Sequence, residues 1–246
     1  MSVMLVTGGS RGIGAATCRM AAAAGWQVVV NYTSNRAAAE AVVADVNAAG
    51  SQALAVQGDV AREEDVSAMY DAAETLGPVT AVVNNAGITG TVTSFADLEV
   101  ERLKRVIAPK VLGAYLVARE VARRMPTDRG GPGGAMVISS SAASRLGSPN
   151  EFVDYAGSKG AMDTLTIGLA KELGPVGVRV NAVRPGLIDT EIHAAAGAPD
   201  RVERFLPGVP MARTGSAEEV AKVILWLAGD GASYVTGTMV DVSGGR

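Results

Sequence analysis

Cysteine is almost absent from this chain, with Cys18 the one thiol among 246 residues. A lone cysteine excludes an internal disulfide and argues against a thiolate metal site, so Cys18 reads as a small buried hydrophobe on a helix. Histidine is as scarce: His193 stands alone, so no His/Cys cluster is available to hold a metal. Aromatic residues make up 4% of the chain against 48% hydrophobic residues, which leaves Ala, Val, Leu and Ile to build the core. Lys and Arg number 22 against 25 Asp and Glu, a net charge of −3 that lacks the electrostatic footprint of a nucleic-acid-binding protein. No apolar run is long enough to span a membrane. Met1-Ser2-Val3-Met4-Leu5-Val6 has neither the basic start nor the long apolar core of a signal peptide. These absences predict a soluble, cytoplasmic protein without a nucleic-acid or membrane partner.

Glycine is plentiful instead, at 30 residues with no collagen-like period, and marks tight turns and close backbone contacts. Taken in order, the chain alternates short apolar runs with helical patterns. Strands are expected at Val3–Thr7, Gln27–Tyr32, Ala53–Gln57, Thr80–Asn84, Ala135–Ser139, Gly177–Arg184 and Thr238–Val242. Helices are expected from the glycine loop to Gly25, over Arg36–Ala49, near Glu63–Leu76, over roughly Asp97–Met125 with a kink at Pro109, from before Tyr155 to about Leu173, and from an N-cap at Ser216 to near Gly229. The predicted fold is therefore α/β: a Rossmann-type doubly wound parallel sheet of seven strands, in one domain over residues 1–246. Arg129–Gly134 reads as an exposed connection, and 187–215, with Pro199, Pro207 and Pro210, as a segment with only local helix.

Two stretches carry chemistry. Thr7-Gly8-Gly9-Ser10-Arg11-Gly12-Ile13-Gly14 joins the first strand to the first helix, a turn in which backbone can approach a pyrophosphate at a helix N-terminus. Its spacing is G-x-x-x-G-x-G and not the commoner G-x-G-x-x-G. Tyr155 and Lys159 stand four apart, one above the other on a helix face. A phenol titrates near pH 10, and an ammonium one turn away is expected to favour the phenolate and bring that value toward the working range.

With Asp59, Asn84–Gly87, Ser141, Asn181, Pro185-Gly186 and Gly244-Gly245 in the same order, the chain resembles the short-chain dehydrogenase/reductase family in its single-domain form. Val176–Asn181 and Tyr234–Gly237 are similar to its oxoacyl-carrier-protein-reductase and sugar-dehydrogenase-like members. The resemblance implies that Gly8, Gly12 and Gly14, with Ser10, Arg11 and Ile13 between them, cradle the cofactor pyrophosphate. Asp59 and Val60 would sit at the adenine, and Asn85, Ala86 and Gly87 would line the cleft. Pro185, Gly186, Ile188 and Thr190 would secure the nicotinamide end. Tyr155 would exchange a proton with the substrate oxygen, Ser141 would hold that oxygen, and Lys159 would tune the tyrosine and bind the nicotinamide ribose. The substrate would be a small alcohol or carbonyl compound, and the assembly a homotetramer, with the apolar residues of Thr238–Val242 and of the Ser216–Gly229 helix at its contacts.

Tyr32-Thr33-Ser34-Asn35-Arg36 offers no carboxylate to a ribose 2′-hydroxyl, whereas Arg11 and Arg36 suit a 2′-phosphate, so NADP(H) is expected over NAD(H). Two positions depart from the family. Ser141 precedes Tyr155 by fourteen residues instead of the usual thirteen, where Ala142 stands; an extra residue in Gly147–Asp154 accounts for this, with Ser140 and Ser144 as the alternative serines. Lys110 occupies the place of an asparagine three residues before Gly113. Pro109 is expected to tilt the helix and turn Lys110 away from the cleft, since two like charges would otherwise share it. An oxidoreductase is the first reading, and a cofactor-binding protein with little turnover the second. Ala142, Leu146, Phe152, His193 and segment 187–215 are expected to shape the substrate pocket.

Overall fold

A computed structural model describes residues 1–190, 197–198 and 200–246. β1 (Val3–Val6) lies in the middle of the sheet and is buried on both faces. Val3 and Leu5 enter the apolar cluster on one side, Met4 and Val6 the cluster on the other. That is why the run is apolar throughout instead of alternating with polar residues. β2 (Gln27–Tyr32), β3 (Ala53–Gln57), β4 (Val79–Asn84), β5 (Gly134–Ser139), β6 (Val178–Pro185) and β7 (Met239–Val242) complete the sheet. The order is β3-β2-β1-β4-β5-β6-β7, and every neighbouring pair is parallel. The expected doubly wound Rossmann-type sheet is present. Its strand order reverses between β1 and β4, which opens a crevice beyond the carboxyl ends of those strands.

The helices in chain order are α1 (Gly12–Ala23), α2 (Arg36–Ala48), α3 (Glu63–Glu74), α4 (Val100–Ile107), α5 (Gly113–Arg124), α6 (Ala143–Leu146) and α7 (Val153–Leu173), followed by Arg201–Phe205 and Ala217–Ala228. α1, α2 and Ala217–Ala228 pack on one face, and α3, α5 and α7 on the other. Small residues on α1 let it lie close to the sheet, and Cys18 is fully buried among them. Tyr70 on α3, also fully buried, donates its hydroxyl to Val117 O at 3.1 Å, so the ring adds apolar area without an unpaired polar atom. Ser216 caps its helix in a reciprocal box with Glu219, at 3.2 and 2.9 Å. Of the apolar residues expected at subunit contacts, Val220, Ile224 and Leu227 instead fill the core and Trp226 stays exposed, as does Tyr234 between the two elements.

The helix expected over 97–125 is broken into three parts. α4 begins only at Val100, and between α4 and α5 the backbone widens into a π turn over Ala108–Leu112, where Gly113 N–H reaches back five residues to Ala108 O. Pro109 has no N–H to give the α-helical ladder, and the wider turn absorbs the missing bond without ending the helix. Among the described residues no helix is long and apolar enough to cross a membrane. His193 lies outside the described residues.

Candidate active site

The crevice begins where β1 runs into the glycine loop. Thr7 Oγ1 accepts from the backbone N–H of Asn85 at 2.9 Å and of Ala86 at 3.0 Å, tying β1 to the end of β4. The Asn85 amide donates to Thr7 O and Gly8 O at 3.1 and 3.2 Å. From β2, Asn31 accepts from Gly8 N–H at 3.1 Å and donates to Gly58 O at 3.0 Å. A Cβ on Gly14 would stand 2.3 Å from Gly8 O, so only glycine lets α1 press against the loop. Gly12 is left-handed at φ +51°, and a Cβ there would meet nothing nearer than Thr190 Cγ2 at 3.6 Å. No side chain caps the start of α1. Open space beside an uncapped helix N-terminus fits a dinucleotide pyrophosphate.

The remaining expected cofactor residues lie around this loop. Ser10 and Ile13 are half-buried and Arg11 is exposed. Tyr32 is buried, whereas Thr33, Ser34 and Arg36 are exposed, and Arg36 pairs with Glu40 at 2.6 Å. Asp59 accepts from Ala61 N–H at 2.9 Å, and its own N–H donates to Asp65. Val60 is buried against Gly113, where a Cβ would come within 2.6 Å of Val60 Cγ2. Pro185 O accepts from Ala142 N–H at 2.9 Å, a Cβ on Gly186 would collide with Ser243, and Ile188 bridges to Gly215.

β5 and α7 deliver the catalytic candidates. The Ser141 hydroxyl accepts from Ala143 N–H at 3.1 Å and stands close enough to Tyr155 to favour its phenolate. Ser140 points elsewhere, donating to Asp163 Oδ1 at 2.7 Å, and Ser144 donates to Ser141 O at 2.9 Å. Ser141 is thus the serine that meets Tyr155. The Gly147–Asp154 loop, where the extra residue was expected, has left-handed backbone at Gly147, Ser148 and Asn150. Lys159 is buried, donates to Ser139 O, and holds its Nζ 5.6 Å from the centre of the Tyr155 ring.

Lys110 does not turn away from the cleft as expected. Its Nζ lies 4.5 Å from the centre of the Tyr155 ring, and the residue is only 5% exposed. The π turn keeps this position facing α7, and Gly87 gives the side chain room: a Cβ there would stand 2.6 Å from Lys110 Nζ. Both amines thus lie beside the Tyr155 ring, at 4.5 and 5.6 Å from its centre, close enough for each to bias the protonation of the other. Burial first, and then the neighbouring Lys159, hold Lys110 well below the ordinary lysine value. Burial lowers Lys159 to about 8, against the Lys110 hydrogen bond and the Asp163 charge, which support its ammonium.

Tyr155 also differs from expectation. Loss of water raises its pKa above the ordinary phenol value, and the Ser141 hydrogen bond and the Arg201 charge offset only part of this. The Lys159 amine is turned toward Ser139 and Lys110, so spacing on the helix does not by itself aim its charge at the phenol. Sequence reasoning passed over Asn31, Asp163 and Arg201. Asn31 is the polar residue in the apolar run of β2, and Asp163 continues the four-residue spacing of Tyr155 and Lys159, so both left a signal. Arg201, stacked between Phe152 and Phe205 at 5.3 and 5.0 Å, left none.

A family model described as enoyl-(acyl carrier protein) reductase matches residues 8–246. The uncharacterized oxidoreductase YgfF of Escherichia coli is 51% identical over 247 residues, covering 100% of both chains. The chain is a short-chain dehydrogenase/reductase. Among solved members of this family, the 3-ketoacyl-(acyl-carrier-protein) reductase of Brucella melitensis, complexed with NADH, is 31% identical. It superposes with a TM-score of 0.90 over 100% of this chain and 98% of its own. A Burkholderia cenocepacia short-chain dehydrogenase in complex with NADP is 33% identical, with a TM-score of 0.90 over 99% and 97%. This short-chain dehydrogenase/reductase is thus an oxidoreductase of CH–OH groups.

Proposed function

We propose that this enzyme interconverts a secondary alcohol and a ketone with NADP(H), working as one cytoplasmic domain of 1–246 in a homotetramer. The observation that carries the reading is Tyr155 with two buried lysine amines beside its ring, at 4.5 and 5.6 Å from the centre, and with Ser141 close enough to favour its phenolate. When bound, the nicotinamide supplies or accepts the hydride. Charge that grows on the substrate oxygen needs a donor and a proton source. Ser141 holds the oxygen, and Tyr155 gives it a proton in reduction or takes one in oxidation. Lys159, with its amine 5.6 Å from the centre of the ring, is a buried cation near the phenol. Metal chemistry has no role in this reading.

The preference for NADP(H) rests on the absence of any carboxylate in Tyr32–Arg36 and on the exposed Arg36. Its pair with Glu40 is a surface contact of little energy and yields readily to a phosphate. The tetramer rests on family resemblance together with Trp226 and Tyr234, 46% and 103% exposed. A cofactor-binding protein without turnover is not favoured, given relatives named as oxidoreductases and reductases. The test follows absorbance at 340 nm with NADPH or NADH against ketones, aldehydes and an enoyl thioester. The reading expects ketone-dependent oxidation of NADPH and weaker binding of NADH. Tighter NADH binding overturns the cofactor assignment, and activity on the enoyl thioester alone overturns the carbonyl chemistry.

A further inference from the structure

Two lysine amines share one buried site. Lys110 and Lys159, each 5% exposed, hold their Nζ atoms 4.5 and 5.6 Å from the centre of the Tyr155 ring. Burial and a like charge both disfavour a second ammonium there. Around Lys110 and Lys159 stand Tyr155 and Asp163 on α7, with Arg201 near Tyr155 and Arg184 paired to Asp163 at 2.8 Å. Asp163 is thus already engaged by Arg184 and Ser140. Among the described residues no carboxylate pairs with Lys110. A lysine kept only to fill space would need no second amine beside it and no aromatic acid beneath it.

We propose that Lys110 is a further catalytic residue of this site: its amine and that of Lys159 share one proton and return it to Tyr155 in each turnover. An uncharged amine accepts through its lone pair and donates through its N–H groups, so Lys110 can take the hydrogen bond of the Lys159 ammonium while it donates onward. In reduction the Tyr155 O–H bond breaks and a substrate O–H bond forms as hydride reaches the carbonyl carbon. A Lys159 N–H bond then breaks to restore the phenol. Both amines are now neutral, and Lys110 takes one proton from solvent water and passes it to Lys159. Oxidation runs the same steps backwards and releases one proton. The inference rests on the carbonyl reading above, but the arrangement of the amines can be tested without turnover.

The test uses the full chain labelled with [ε-13C]lysine and follows the Cε shifts across pH, with no cofactor present. The wild type is expected to give two lysines that titrate below the rest, one near the value of about 8 for Lys159 and one lower. If Lys110 is a neutral acceptor, Lys110→Met removes a bond that supports the Lys159 ammonium, and the Lys159 midpoint falls by about half a unit or more. A midpoint that rises or stays in place overturns the proposal, because Lys110 is then a repelling charge or a bystander. Should Lys110→Met fail to fold, the wild-type titration decides, and two midpoints in the ordinary lysine range overturn it. In turnover, Lys110→Met is expected to lower kcat about ten-fold or more with KM little changed. Lys110→Asn, whose amide both donates and accepts, is expected to recover most of the loss. A Lys110→Met enzyme within about two-fold of wild type across the pH range contradicts the relay. Failure of every carbonyl substrate tells against the carbonyl reading alone, since the lysine titration still reports on the pair.

Discussion

Ser140 and Ser141 are adjacent in sequence and have opposite destinations. Ser141 meets Tyr155, while Ser140 bonds Asp163 behind the site. Ser141→Ala should therefore lower kcat by about 10²- to 10³-fold, as loss of an oxyanion donor does, and Ala142→Gly should leave it nearly unchanged. Ser140→Ala should cost about 1 kcal/mol of stability in urea unfolding and little turnover. Strong loss of turnover from Ser140→Ala with none from Ser141→Ala would reverse the assignment. Lys110 carries a second prediction at this scale. Folding lowers its pKa well below the ordinary lysine value, whereas an unfolded chain titrates it near 10.4. Below that pH the unfolded state binds more protons, so the group costs the folded state more as pH falls toward its folded value. Lys110→Met should thus stabilise the protein, and the gain should shrink by up to about 1.4 kcal/mol per unit as pH rises from 8 to 10. Lys159, at about 8, titrates at the foot of that window, so the upper part of it reports most directly on Lys110. A gain independent of pH would mean that Lys110 is not held neutral. Tyr155 and Lys159 were legible as a pair because a spacing of four puts them on one helix face, and Ser141 was legible only through the family resemblance. The direction in which Lys110 points was not legible, because it depends on the room that Gly87 leaves from across the crevice.

Elements place these side chains, and the start of α7 is held by a buried ion pair. Arg102 on α4 and Asp154 on α7 meet at 3.1 Å with side chains 6% and 2% exposed, and Arg102 also donates to Thr91 O and Glu151 O. Removal of one partner leaves the other charge buried and unpaired. Arg102→Met should cost about 3–5 kcal/mol in denaturant unfolding. A loss below about 1 kcal/mol would show that the pair is not what fixes α4 against α7. Most elements could be read from the chain: apolar runs marked the strands, and Ser216 with Glu219 three residues on marked a helix start. The π turn could not. Pro109 announces a lost hydrogen bond, but whether the helix kinks, ends or widens is settled by what packs around it, here Val60 against Gly113 and Tyr155 under Lys110.

Across the whole molecule, the parallel sheet gathers loops from β1, β4, β5 and β6 at one edge, so residues far apart in sequence form one crevice. The assembly is the less legible level: Val220, Ile224 and Leu227 near the C-terminus proved to be core, whereas Trp226 and Tyr234 are exposed. Light scattering at micromolar protein should give the mass of four chains, and Trp226→Asp should lower it; a monomer mass would rule the assembly out. The central claim is that Tyr155 moves the proton of a nicotinamide-dependent carbonyl reaction. The most direct measurement pairs turnover with binding in Tyr155→Phe, which removes the hydroxyl and keeps the ring. Oxidation of NADPH by a ketone accepted by the wild type should fall by about 10³-fold or more, while the NADPH affinity from fluorescence titration stays within a few-fold. Turnover close to wild type in Tyr155→Phe would contradict the account.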